Sequence, residues 1–160
     1  MQSNKCLSLA CKNSNYNYKL NLIQQGFKLL PSMSNVIHSD NGLYFIRNVL
    51  IHINNQPSIY GVTILPSKTY DKYESTLNTL GNNPIGEKLL FITPNTVKHP
   101  HYYKTIGRHD VEFDCFLQKI CPKQETLYGR QTMYNLNSFP LLLTEIFLPM
   151  IPIYPTNAYS

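Results

Sequence analysis

The segment that most limits what this chain can become is Leu141-Leu142-Leu143-Thr144-Glu145-Ile146-Phe147-Leu148-Pro149, a nearly unbroken apolar run with one carboxylate at its centre. Bounded by Pro140 and Pro149, it reads as a buried strand. Side chains alternate along a strand, so Leu141, Leu143, Glu145 and Phe147 share one face and Leu142, Thr144, Ile146 and Leu148 the other. Both faces are apolar, which turns Glu145 inward. A buried carboxylate is costly unless it is ion-paired, hydrogen-bonded or protonated. On this stretch alone two readings stay open. Glu145 lines a closed ligand cavity, or it belongs to an internal ion pair or a strand end near solvent with no ligand.

With 160 residues the chain has the length of one domain with its own core. Charged residues make up only 14%, and no apolar stretch reaches the ~18 residues that cross a bilayer. The start of the chain lacks the pattern of a signal or transit peptide, so the protein is expected to act where it is made. A net charge of +5 permits an anionic partner. The basic residues are scattered, which suits a small anionic metabolite and argues against nucleic acid. Cys6, Cys11, Cys115 and Cys121 form no C-x-x-C pair and the histidines have no ligand spacing, so no metal is expected. There is no glycine-rich phosphate loop and no G-x-S-x-G elbow.

Tyr18 to Ile23 alternates weakly as a first strand, and Ser32 to Gly42 is loop by composition. Leu43 to Ile53 is a strong strand with Phe45, Arg47, Val49, Ile51 and Ile53 on one face. Arg47 is the lone charge there, either buried or packing its stem while its head reaches water. The turn Asn54-Asn55-Gln56-Pro57 leads into Ile59 to Leu65, which makes an antiparallel hairpin. Asp71 to Leu80 reads as a helix with Asp71 and Glu74 as a capping box and Gly81 just past its end. Asn83 and Pro84 read as the N-cap and first residue of a second, short helix. Its free N–H groups at Ile85 and Gly86 could hold a carboxylate. Thr93 to Pro122 has no steady period and reads as long loops with one short element. Leu127 to Leu136 reads as a strand, and Asn137-Ser138-Phe139-Pro140 as the turn into the opening segment. Hairpins separated by helices predict a single α+β domain on an antiparallel sheet.

Leu80-Gly-Asn-Asn-Pro-Ile-Gly86, Tyr128-Gly-Arg-Gln-Thr132 and Leu141-Leu-Leu-Thr-Glu-Ile-Phe-Leu-Pro149, in that order, resemble the chorismate pyruvate-lyase family. Ile46-Arg47-Asn48-Val49-Leu50 and Gly61-Val62-Thr63-Ile64-Leu65-Pro66 fit the same pattern, and the likeness runs from about Lys19 to Pro152. It is strongest to members encoded in algal plastid genomes of red-algal type. Richness in Asn, Ile, Lys and Tyr with no Trp fits such an AT-rich genome.

The resemblance implies a sheet of about six antiparallel strands flanked by helices, over residues 19–155, with residues 1–18 as an N-terminal tail that is either truncated relative to the family's helical segment or leaves the cavity covered differently. It implies a carbon–oxygen lyase without cofactor that converts chorismate to 4-hydroxybenzoate and pyruvate. Such a protein would be a monomer of the plastid stroma (alternatively the cytoplasm), with no nucleic-acid or membrane partner. Arg47 would hold the ring carboxylate, the Ile85–Gly86 backbone would meet the same group, and Glu145 would face the ring hydroxyl as the catalytic residue. Glu145 could offer a proton or a hydrogen bond near the leaving oxygen. Three departures are visible. The family's Ser-Met-Thr turn is missing, Val62 stands where bacterial members carry arginine at a position tied to ligand passage, and the Thr93–Pro122 stretch is longer. They leave open an inactive relative, or an aromatic-acid binding module akin to effector-sensing domains.

Overall fold

The computed structural model describes residues 17–149. The expected tail, except for its last two residues, and Cys6 and Cys11 lie outside them. Seven strands form one antiparallel sheet: β1 (Tyr18–Leu29), β2 (Leu43–Ile53), β3 (Gln56–Pro66), β4 (Thr96–Lys98), β5 (Tyr102–Gly107), β6 (Thr126–Leu136) and β7 (Phe139–Phe147). The spatial order is β1-β2-β3-β7-β6, with β4 and β5 both paired to β6. The sheet thus has one strand more than expected.

Two tight hairpins set the sheet's register. At Asn54-Asn55 φ is +51° and +65°, and at Asn137-Ser138 it is +50° and +74°. Successive left-handed residues give the twist that joins antiparallel strands through two residues, and Asn is among the side chains that tolerate it. Pro57 is accommodated in an interior strand because it sits at the start of β3, opposite His52, where the β2–β3 register slips by one. β1 runs through Gly26 to Leu29, further than its weak alternation indicates, because pairing with β2 continues to Leu43.

Helix α1 (Ser67–Thr79) follows β3 without a loop. It starts four residues before the expected Asp71. Pro66, at φ −60°, is its N-cap and no side chain caps it, so the Asp71–Glu74 box does not open the helix. A kink at Tyr73 (φ −118°, ψ 22°) divides it instead. Gly81 stands just past the end with φ +54°, a conformation that favours glycine. Tyr70, Tyr73, Leu77 and Leu80 seat the helix on Phe45, Leu65, Leu141 and Leu143 of the sheet.

The stretch expected as long loops with one short element holds three, β4, β5 and a short helix, α2 (Cys115–Ile120), capped by Asp114, which accepts the Leu117 N–H at 2.8 Å. β4 is three residues long and β5 is an edge strand with mixed exposure, so neither carries an alternating signal; pairing with β6 creates them. The sheet is covered on both sides. On the face opposite Arg47, Phe113, Leu117 and Cys121 pack with Met33 and Ile37 on Tyr60, Val62, Leu142 and Ile146. Among the described residues no helix is long and apolar enough to cross a membrane, and no cluster of His, Cys, Asp or Glu could hold a metal.

Candidate functional site

Register places four residues of one sheet face in a row: Val49 opposite Gly61, Gly61 opposite Glu145, Glu145 opposite Arg130. The neighbouring row runs Arg47, Thr63, Leu143, Thr132. Arg47 and Glu145 therefore stand two strands apart and one step along. With strands about 4.8 Å apart and about 3.4 Å per residue, their Cα atoms are roughly 12 Å apart. Between them is a narrow cavity floored by Val49, Gly61 and Thr63 and roofed by Pro84 and Ile85. It has room for about one water molecule.

Arg47 is 1% exposed, so its head does not reach water. Its Nη2 donates to Gly81 O at 3.0 Å and Asn83 O at 2.9 Å. Its Nε is buried without a hydrogen-bond partner among the described residues. Burial pushes the guanidinium down to about 10, slightly offset by Tyr18. It stays charged at neutral pH, a buried cation with one donor unspent.

The roof begins with the turn after α1. Asn82 Oδ1 accepts the Leu22 N–H at 2.8 Å, next to the bulge in β1, which ties this turn to the edge of the sheet. The expected capped helix takes another form. Asn83 turns its side chain back to donate to Leu80 O, and a single wide turn (Gly86–Leu90, closed by Phe91 N–H to Gly86 O) follows Ile85 without a side-chain cap. Ile85 lines the cavity, whereas Gly86 is buried and does not line it.

Glu145 is 3% exposed and ion-paired, as its burial requires. Arg130 Nη2 donates to Glu145 Oε1 at 2.9 Å and Nε to the same oxygen at 3.3 Å. Burial alone would lower the Arg130 guanidinium, but the Glu145 charge and hydrogen bonds more than offset it and the net shift is upward. Arg130 was legible only as part of the Tyr128–Thr132 motif. Reading Asn137-Ser138 as a two-residue turn would have found it, because that turn sets Leu136 opposite Phe139 and hence Arg130 opposite Glu145.

Val62 lies on the other face, buried between Asn48 and Thr144, away from this cavity. That face has its own polar knot. Asp114 Oδ2 accepts from Gln24 Nε2 (3.0 Å), Asn48 Nδ2 (2.7 Å) and Tyr60 Oη (2.5 Å). Burial and the Asp114 hydrogen bond raise the Tyr60 hydroxyl far above its usual range.

A family model described as chorismate lyase matches residues 7–158. The chorismate pyruvate-lyase of Pectobacterium carotovorum subsp. carotovorum is 34% identical over 113 residues, 71% of this chain and 53% of its own length. That of an Enterobacter strain is 29% identical over 140 residues, 86% of this chain and 73% of its own. The chain spans about half the length of curated relatives such as the Pectobacterium protein. Among solved structures, the effector domain of PhnF from Mycobacterium smegmatis superposes with a TM-score of 0.63 at 10% identity, covering 91% of this chain and 89% of that one. The ligand-binding domain of a GntR-family regulator from Bordetella bronchiseptica gives 0.57 at 10%, covering 84% and 85%. At such identities the likeness is one of fold.

Proposed function

The chain belongs to the chorismate lyase family, and from that membership we propose that it is a chorismate pyruvate-lyase, taking pyruvate from chorismate and leaving 4-hydroxybenzoate. The observation that carries this reading is Arg47, a buried cation whose Nε has no partner among the described residues, facing a cavity whose other polar side chains include Glu145. Chorismate and 4-hydroxybenzoate both present a carboxylate at one end of a six-membered ring and a hydroxyl at the other. The carboxylate meets the Arg47 guanidinium, whose planar fork suits it, and the backbone at Ile85, which lines the cavity. The hydroxyl meets Glu145.

In the reaction the ring carbon's bond to the enolpyruvyl oxygen breaks. The hydroxyl-bearing ring carbon next to it gives up its hydrogen, and pyruvate gains one in its methyl group. Atoms balance without water or a co-reactant, and the ring becomes aromatic. The protein's share is to bind both ends, hold the ether in a reactive pose and polarise its oxygen. The leaving ether sits beside the hydroxyl, so the Glu145 carboxylate lies near the breaking bond. A ring does not fit the closed cavity, so the Gly81–Phe91 roof lifts to admit it.

Richness in Asn, Ile, Lys and Tyr with no Trp supports an AT-rich plastid genome as its source; a red-algal type and work as a monomer in the plastid stroma are taken from the family likeness. The test is incubation of purified protein with chorismate while pyruvate and 4-hydroxybenzoate are measured. Equal amounts of both are expected. Tight binding of 4-hydroxybenzoate without turnover would leave an aromatic-acid binding module, and neither binding nor turnover would overturn the reading.

A further inference from the structure

Glu145 has two cross-strand neighbours, Gly61 on β3 and Arg130 on β6. Gly61 has no side chain with which to orient a carboxylate. Arg130 does, and it places both Nη2 and Nε on one oxygen, Oε1. The side chains are 13% and 4% exposed, so little water competes. Two guanidinium N–H groups on one carboxyl oxygen are the geometry of an ion pair, in which the carboxylate serves as acceptor. We propose that Arg130 is a positioning residue of this site, fixing the Glu145 carboxylate as a hydrogen-bond acceptor aimed at the hydroxyl end of the substrate. The inference rests on the lyase reading. It assigns Glu145 the role of acceptor from the substrate hydroxyl rather than proton source for the leaving oxygen.

The register explains why the pair forms. The two-residue turn at Asn137-Ser138 places Arg130 and Glu145 directly opposite, where cross-strand side chains meet. The upward shift of Arg130 despite its burial agrees with a charged pair.

The test compares affinities for 4-hydroxybenzoate and benzoate in wild type, Arg130→Gln, Arg130→Lys, Glu145→Gln and the Arg130→Gln/Glu145→Gln double variant, by calorimetric titration. The ratio of the two affinities isolates the hydroxyl end, and a merely structural loss would weaken both ligands alike. Arg130→Gln should cut the ratio about tenfold or more, and Arg130→Lys should restore part of it, being charged but without the planar fork. In the Glu145→Gln background Arg130→Gln should change the ratio by less than about threefold, because the partner it acts through is gone. A wild-type ratio in Arg130→Gln, or an equal loss in both backgrounds, overturns the inference and leaves the lyase reading standing. If Arg130→Gln fails to fold, the lysine variant decides: a ratio equal to wild type overturns the inference and an intermediate one supports it. Wild-type protein that binds neither acid overturns the lyase reading and this inference with it.

Discussion

A Cβ built on Gly61 would come within 2.9 Å of Val49 Cγ2, its neighbour across the β2–β3 pair. Gly61 is also the residue opposite Glu145, so its missing side chain keeps the cavity floor low beside the carboxylate. Gly61→Ala forces Val49 to shift or raises the floor. Overpacking of this kind costs about 1–3 kcal/mol. A fall in melting temperature together with at least about tenfold weaker 4-hydroxybenzoate binding is expected in a titration. Unchanged affinity would mean that the ring does not lie over Gly61.

Arg47→Ala should weaken aromatic-acid binding by roughly 2–5 kcal/mol, the cost of removing one partner of a buried charge pair. Arg47→Lys should recover only part, since a point charge replaces the fork. Burial lowers Arg47 to about 10, which disfavours its charged form but leaves it protonated at neutral pH. The sign follows: benzoate affinity should hold across the neutral range and fall as pH climbs through about 10, where the free site loses its proton. Near-normal chorismate turnover by the alanine variant would remove Arg47 from the site.

Glu145→Gln leaves Arg130 buried without its counter-charge. Breaking a buried pair costs roughly 3–5 kcal/mol, and the isosteric amide, which still accepts one hydrogen bond, should place it near about 3 kcal/mol. At about 2–4 °C per kcal/mol for a domain of this size, thermal unfolding should occur about 6–12 °C lower. With Glu145 an acceptor that orients the hydroxyl end, 4-hydroxybenzoate should bind more weakly and turnover should fall by less than the about 10²–10⁴-fold that loss of a proton donor would bring. A variant matching wild type in stability and activity would show the pair to be neither structural nor functional.

Product binding tests the two ends without chemistry. At a hundredfold excess over Kd a ligand stabilises the folded state by about 2.7 kcal/mol. Saturating 4-hydroxybenzoate should therefore raise the melting temperature by about 5–10 °C. Benzoate, without the hydroxyl, should do less, and 4-hydroxybenzyl alcohol, without the carboxylate, little. No shift from any of the three at millimolar concentration would end the ligand-cavity reading.

Asp114 supplies the control from the opposite face. Asp114→Ala strands the Asn48 amide and Tyr60 hydroxyl donors and uncaps α2. Leaving buried donors unmet costs about 1–3 kcal/mol each, so denaturant melts should show a loss of about 3 kcal/mol. The ligand-induced shift should persist, because this cluster lies across the sheet from the cavity. Loss of ligand binding at retained fold would show that the two faces are coupled.

Much of this was already present in the residues taken one after another. Alternation alone puts Arg47 on one face of β2 and Glu145 on one face of β7, because a strand turns successive side chains to opposite sides. β2 came out with its observed ends, and the apolar setting of Glu145 announced that it needed a partner. The order Leu80–Gly86, Tyr128–Thr132, Leu141–Pro149 carried the family.

Which partner Glu145 takes was decided by tertiary structure. A strand pattern says which way a side chain points but not which strand lies beside it. The left-handed pair Asn137-Ser138 sets Arg130 against Glu145, and a four-residue turn there would have moved the register. The slip opposite Pro57 likewise brings Arg47 against Thr63, a pairing that counting back from Asn54-Asn55 misses by one residue. β4 and β5 exist only because β6 offers them an edge. The roof took its form from contacts distant in sequence, Asn82 with Leu22 and Arg47 with the Gly81 and Asn83 carbonyls, and these overrode the capping pattern at Asn83-Pro84. Local sequence determines the direction of a side chain through backbone geometry; which groups meet depends on register and long-range hydrogen bonds, and only the folded sheet supplies those.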